Sequence, residues 1–171
     1  LSKRYSACGI RIGALVSLNK DIMSGVLKIG QGRLSAGLVD QAMAAELIHV
    51  DEAYFKGLHD EFEKRRDVLY EGLKKIEGVV IPKPEGSFYT IVGLPIDDAE
   101  KFCIWLLTDF RDNNETLMLA PAAGFYTSTP LSTGAIKGKN EVRIAYVLNT
   151  TAISRCVELL KAALIQYNAR V

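Results

Sequence analysis

Two histidines and three cysteines in 171 residues leave little raw material for metal chemistry. Cys8, Cys103 and Cys156 are widely spaced and form no CxxC pair. Neither a metal site nor a disulfide framework is supported, and a reducing cytosol is the simplest setting. A histidine-rich metal site cannot be built from His49 and His59 alone. Basic excess is missing as well: 21 Lys and Arg face 20 acidic residues, a formal net charge of +1. Polyanion binders gain affinity by neutralising phosphates, so nucleic acid is not an expected partner. Long apolar runs are also lacking. The longest, Ile10 to Leu18, is interrupted by Arg11 and Gly13, far short of the roughly 18–20 residues that span a bilayer. The N-terminus lacks the charged-then-apolar pattern of a secretion signal.

What is present suits a packed core. Apolar residues make up 49% of the chain and charged ones 24%, which excludes an intrinsically disordered composition. The length fits one domain, or one and a piece of another. The chain begins at Leu1, and its first residues read as the middle of a longer element, so a fragment is expected.

Residues 9–18 alternate between an apolar set (Ile10, Ile12, Ala14, Val16, Leu18) and a mixed one, a period of two that predicts a strand. Asn19-Lys20-Asp21 signals a turn before a short helix over 22–29, and Gly30, Gly32 and Gly37 predict a loose connector. From Val39 to Ile76 there is no proline. Leu58, Phe62, Leu69, Leu73 and Ile76 form one stripe of a long helix, with Gly57 a candidate break and Gly78 a candidate stop. Short strands follow at 79–81, 87–92, 116–120 and 141–148. Helices are expected at 97–111, with Phe102, Leu106 and Phe110 on one side, and from the capping Asn149 onward, with the stripe Ile153, Val157, Leu160 and Leu164. A polar loop joins Pro121 to Asn140. The order β, β, α, β, β, α predicts a sheet covered on one side by helices, an α/β chain with an α+β body.

Lys3 sits on a loop of small residues, and eight residues later Arg11 stands between Gly9 and Gly13. Lysine forms Schiff bases with aldehydes, and arginine reads phosphate through a rigid fork of donors. Aimed at one cavity, the pair would suit a phosphorylated aldehyde. On spacing alone both can equally be solvated surface charges. Arg143 likewise can be an exposed strand residue, with Val142, Ile144 and Tyr146 forming the buried face. Trp105 reads as core or interface, His49 and His59 as surface or packing residues, and Cys8 as a small buried residue rather than a nucleophile. The cluster Glu61-Glu63-Lys64-Arg65-Arg66-Asp67 reads as a solvated helix face with internal ion pairs.

Four segments in register carry a resemblance. Ser2-Lys3 with Gly9, Arg11 and Gly13 resembles the S-x-S-K-x5-G-x-R-x-G signature of class I/II aminotransferases, the fold-type I enzymes dependent on pyridoxal 5'-phosphate; the signature's first serine falls just before Leu1. Pro84-Glu85-Gly86-Ser87-Phe88-Tyr89 resembles the P-x-G-[AS]-F-Y strand of that family. Leu119 to Tyr126 resembles its P-G-x-x-F loop, and Asn140 to Tyr146 its N-x-x-R-[IL]-[AS] strand. The wording is most similar to bacterial aspartate aminotransferase-like proteins.

The resemblance implies a C-terminal small domain with a mixed, mainly antiparallel sheet covered by helices, preceded by a long interdomain helix. It divides the chain into a remnant of the large cofactor domain (1–33), the interdomain helix region (34–77) and the small domain (78–171). It implies Lys3 as catalytic and cofactor-holding residue, Arg11 as anchor of the cofactor phosphate, and Arg143 as receptor of the substrate α-carboxylate, with no metal. Amino acids and 2-oxo acids would be the substrates, and a homodimer in the cytoplasm the setting. A connector that lets the small domain close over substrate is implied too. The family's aspartate at the pyridinium nitrogen and its ring-stacking aromatic precede the lysine, so they fall outside this sequence, and transamination by the chain alone is not expected. A lyase, a decarboxylase or an acyl-transferring synthase on the same scaffold, or a non-catalytic dimerising domain, remain open readings.

Overall fold

Asn19 accepts hydrogen bonds on its side-chain oxygen from the backbone N–H groups of Asp21 and Ile22, both at 3.0 Å, and helix α1 (Lys20–Arg33) begins there. In the computed structural model, which describes residues 1–126 and 136–170, the chain divides into two compact units, Leu1–Leu58 and His59–Val171.

In the first unit α1 runs longer than the sequence suggests. It passes through Gly30 and Gly32 and closes with the Leu34 N–H on the Gly30 carbonyl at 2.9 Å. Once capped, a helix gains one bond per added residue, which two glycines do not overcome. Only residues 34–37 remain of the expected connector. The strand expected over 9–18 is absent. Cys8–Ile10 forms a 3-10 turn that packs against α2 (Leu38–Glu46), Arg11 takes a left-handed φ of 56°, and residues 11–17 have no regular structure. An alternating pattern becomes a strand only beside a partner that takes its N–H and C=O groups, and no described residue supplies one. Cys8, expected buried, is exposed.

The expected long helix is interrupted, and not at Gly57. After α2 comes a 3-10 turn at Leu47–His49, and then α3 (Glu52–Leu73), whose first turn is capped by the Asp51 carboxylate accepting from Tyr54 N–H at 2.9 Å. A side-chain oxygen that satisfies a free N–H starts a new helix instead of continuing the old one. Gly57 lies inside α3.

The second unit carries the core. Leu69 and Leu73 of α3 pack with Ile76, and the chain then turns through Gly78 at φ 77°, where a Cβ would come within 2.8 Å of Pro95 Cβ. The strand expected at 79–81 is a single bridge from Val80 to Gly93. Strand β1 (Tyr89–Gly93) follows, then α4 (Ala99–Thr108) capped by Asp98, β2 (Ala120–Pro121), β3 (Glu141–Ala145), and α5 (Thr150–Asn168) capped by Asn149. The strand expected over 116–120 shrinks to two residues because Thr116 donates its hydroxyl to the Leu106 carbonyl and ties that segment to α4. The sheet has the order β1-β3-β2 with both pairings antiparallel. Thr90, Val92, Val142 and, just past β3, Tyr146 are buried. The cluster that Val92, Val142 and Tyr146 join includes Phe102, Trp105, Leu106 and Phe110 as well as Ile153, Leu160 and Leu164, so both predicted helical stripes and the core reading of Trp105 hold. Tyr146 donates its hydroxyl to the Ser87 carbonyl at 2.9 Å, fixing the turn before β1. No helix among the described residues is long and apolar enough to cross a membrane.

Candidate functional site

The candidate residues fall in different units: Lys3 and Arg11 in the first, Arg143 in the second.

Lys3 lies exposed in the turn that opens the chain, where Tyr5 N–H bonds the Leu1 carbonyl at 3.1 Å. The next two residues are held by rings. The Arg4 guanidinium carbon stands 4.2 Å from the centroid of Phe55, and Tyr5 meets Phe55 edge to face at 5.4 Å. Arg11 donates from Nη1 to the Cys8 carbonyl at 3.1 Å, spending one of five N–H donors on its own turn. A Cβ built on Gly9 or Gly13 meets no atom within 4 Å, so nothing crowds the backbone beside Arg11. The amine of Lys3 and the guanidinium of Arg11 are the two groups of this segment with the chemistry to meet an aldehyde and a phosphate.

Arg143 sits at the centre of β3, the middle strand. Val142, beside it in sequence, points into the core, so the alternation of the strand places Arg143 on the other face. Its surroundings distinguish it. Four arginines of the chain are half-buried: Arg65, Arg66, Arg143 and Arg155. Arg65 pairs with Glu61 at 2.8 Å, and Arg66 with Asp67 and Glu63 at 2.8 and 3.0 Å. Arg155 pairs with Glu115, Asp112 and Glu158 at 2.8, 3.1 and 3.3 Å. These pairs include the ion pairs expected on the helix face at 61–67. Arg143 has no carboxylate or carbonyl partner among the described residues. Instead its guanidinium carbon lies 4.7 Å from the ring centroid of Tyr89 and 4.6 Å from that of Phe125. A half-buried guanidinium whose N–H fork meets no acceptor among the described residues has the chemistry to pair with an anion, and the fork's geometry matches a carboxylate.

The nearest acidic residue along β3 is engaged elsewhere. Glu141 accepts a hydrogen bond from the Tyr126 hydroxyl, and this bond, with burial adding to it, raises the phenol above its ordinary range. Lys137 lies 4.7 Å over the same ring. Tyr89, Phe125 and Tyr126 were not singled out by sequence reasoning. They lie within two motifs that were, but only the strand register and the turn after β2 show which of their rings meets Arg143. Of the expected loop from Pro121 to Asn140, residues 127–135 lie outside the described residues; before them Ala123–Phe125 forms a 3-10 turn. Cys103 is buried, which pushes its thiol up to about 11, and no catalytic partner stands beside it among the contacts described. His49 and His59 are exposed, as expected.

The family model for aminotransferase class I and II matches residues 1–158. The chain is similar to an aspartate aminotransferase of Rhizobium meliloti, 25% identical over 175 residues that cover 95% of this chain and 39% of the relative. An aspartate aminotransferase of Sulfurisphaera tokodaii is 32% identical over 90 residues, covering 52% of this chain and 22% of the relative. Among solved structures, the aspartate aminotransferase of Thermotoga maritima superposes with a TM-score of 0.72 at 26% identity, over 96% of this chain and 38% of that one. An alpha-aminoadipate aminotransferase from Thermus thermophilus gives 0.74 at 20% identity, over 96% and 40%, a likeness of fold alone. The chain thus spans about two fifths of the length of the relatives it matches across most of its own length.

Proposed function

The chain belongs to the class I and II aminotransferases, and from that membership we propose that it is the C-terminal part of an enzyme that moves an amino group between an L-amino acid, aspartate-like in kind, and a 2-oxo acid. The single observation that carries the substrate half of this reading is Arg143, half-buried, flanked by rings and without an acidic partner among the described residues. A bidentate pair between its fork and the substrate α-carboxylate sets orientation as well as affinity, leaving the Cα–H in a fixed direction. Lys3 is the base that takes this proton and returns it, and its ε-amine is the attachment point for pyridoxal 5'-phosphate; Arg11 binds the phosphate. The cofactor, when bound, supplies the electron sink for the charge left at Cα.

The domain reading follows the same lines: residues 1–33 belong to the large cofactor domain, 34–77 to the interdomain helix region and 78–171 to the small domain. A homodimer in the cytoplasm is the state proposed for the whole enzyme. The 171-residue chain by itself does not transaminate on this reading, because Lys3 stands exposed, where water competes for every contact the chemistry needs.

The test is kinetic. In a chain completed to the length of its relatives, aspartate and 2-oxoglutarate are converted to oxaloacetate and glutamate, Lys3→Ala abolishes turnover, and Arg143→Gln lowers kcat/KM on the order of 10- to 100-fold, the loss of a charge-assisted pair. Release of carbon dioxide or an eliminated side chain instead of amino transfer would overturn the reading.

A further inference from the structure

An arginine on an open sheet face samples many rotamers, while a bidentate pair with a carboxylate needs one of them. No acceptor among the described residues selects that rotamer for Arg143, but two rings meet it. Ile91 of β1 stands directly opposite Arg143 of β3, so Tyr89, two residues away on the same face, takes the diagonal position, within reach of an aromatic side chain. On the other edge Ala120 of β2 pairs with Arg143, and the turn that follows β2 delivers Phe125. Rings from both sides of the strand thus converge on one guanidinium, at 4.7 and 4.6 Å.

We propose that Tyr89 and Phe125 are positioning residues that hold the Arg143 fork in the orientation that receives a carboxylate, a role that rests on the reading of Arg143 given above. Ring faces attract the cation but offer its N–H groups far weaker acceptors than an oxygen, so they orient the side chain without spending its donors. They also keep water from the guanidinium, which strengthens its pairing with a carboxylate at its edge. Phe125 is 55% exposed, so core packing does not account for a ring there; the cation it meets does. Tyr126 acts in the same sense from the next position, since the Glu141 carboxylate it binds lies on the same face of β3 as Arg143.

The test uses the 171-residue chain labelled with ¹⁵N-arginine. The Arg143 Nε–Hε resonance, identified by its loss in Arg143→Gln, is followed with and without L-aspartate. The expected result is a ring-current displacement upfield of the exposed Arg33. That displacement shrinks in Phe125→Leu and in Tyr89→Leu, with aspartate affinity falling on the order of three- to tenfold in each. Phe125→Tyr and Tyr89→Phe, which keep the ring faces, retain both signals. Affinity lost in Arg143→Gln but unchanged in both leucine variants overturns the positioning role alone. Affinity unchanged in Arg143→Gln overturns the carboxylate reading, and the role of the rings with it. The exposed position of Phe125 keeps that variant informative if Tyr89→Leu fails to fold.

Discussion

In the first unit Leu15, Val16, Leu18, Ile22, Leu27, Ile29, Leu34, Leu38, Val39 and Ile48 stand exposed, and Ile10 is the one buried apolar side chain. In the second, α3, α4, α5 and the sheet close on a cluster that runs from Leu69 to Leu164. Both units contain capped helices and abundant apolar residues. They differ in what those residues meet. In the first unit α1 rests on its Asn19 cap and backbone bonds, and α2 on backbone bonds with the Cys8–Ile10 turn against it, which hold short helices only marginally in water; the helices of the second unit also bury a face. Periodicity in a sequence therefore reports the capacity to pack, and burial reports whether a partner is there.

The largest effect that sharpens this contrast is a cavity. Phe102→Ala, at a side chain with 0% exposure, should cost about 3–5 kcal/mol in denaturant unfolding, while Leu27→Ala should fall within roughly 0.5 kcal/mol of the parent. Equal costs would mean that the first unit has a core as well. Next come two glycines of the same helix. At Gly57 a Cβ meets nothing within 4 Å, so Gly57→Ala should stabilise by about 0.5–1 kcal/mol. At Gly72 the same atom stands 3.0 Å from both Val157 methyl groups, so Gly72→Ala should lose that gain and destabilise by about 1 kcal/mol, read from the thermal midpoint of each variant. Asn149→Ala removes the oxygen that accepts from Ala152 N–H and should cost about 1 kcal/mol globally; Asn19→Ala should fray α1 in hydrogen exchange without moving the global transition.

The smallest effect concerns thiols. Cys8 should react rapidly with a disulfide reagent in the native state, and Cys103 only on unfolding. Burial raises Cys103 from 9.0 to about 11, so it opposes the thiolate in the folded state. Its contribution is whole below pH 9 and declines between pH 9 and 11, where the unfolded chain ionises first; a stability–pH profile flat across that window would contradict this.

The contrast also marks what the sequence discloses. The stripes Phe102-Leu106-Phe110 and Ile153-Leu160-Leu164 were legible because each helix carries its own period and its partner lies in the same unit. The caps at Asn149 and Asp98 lie where the sequence signalled helix starts. The pattern over 9–18 misled because alternation alone supplies no ladder, and the break before α3 was missed because a capping Asp51 outweighs a permissive Gly57. Lys3, Arg11 and Arg143 were legible as motif positions. That Tyr89 and Phe125 meet Arg143 was not, since the first contact depends on a register that neither strand encodes by itself and the second on the turn that follows β2.

The ε-amine of Lys3 is the group on which the proposed chemistry rests. Reduction with borohydride after addition of pyridoxal 5'-phosphate, on the enzyme completed to the length of its relatives, fixes the cofactor to the lysine that holds it, and peptide mass mapping then finds the label. The predicted result is one phosphopyridoxyl group on Lys3, lost when Arg11→Gln weakens the phosphate contact. A label on any other lysine, with Lys3 unmodified, would contradict the account.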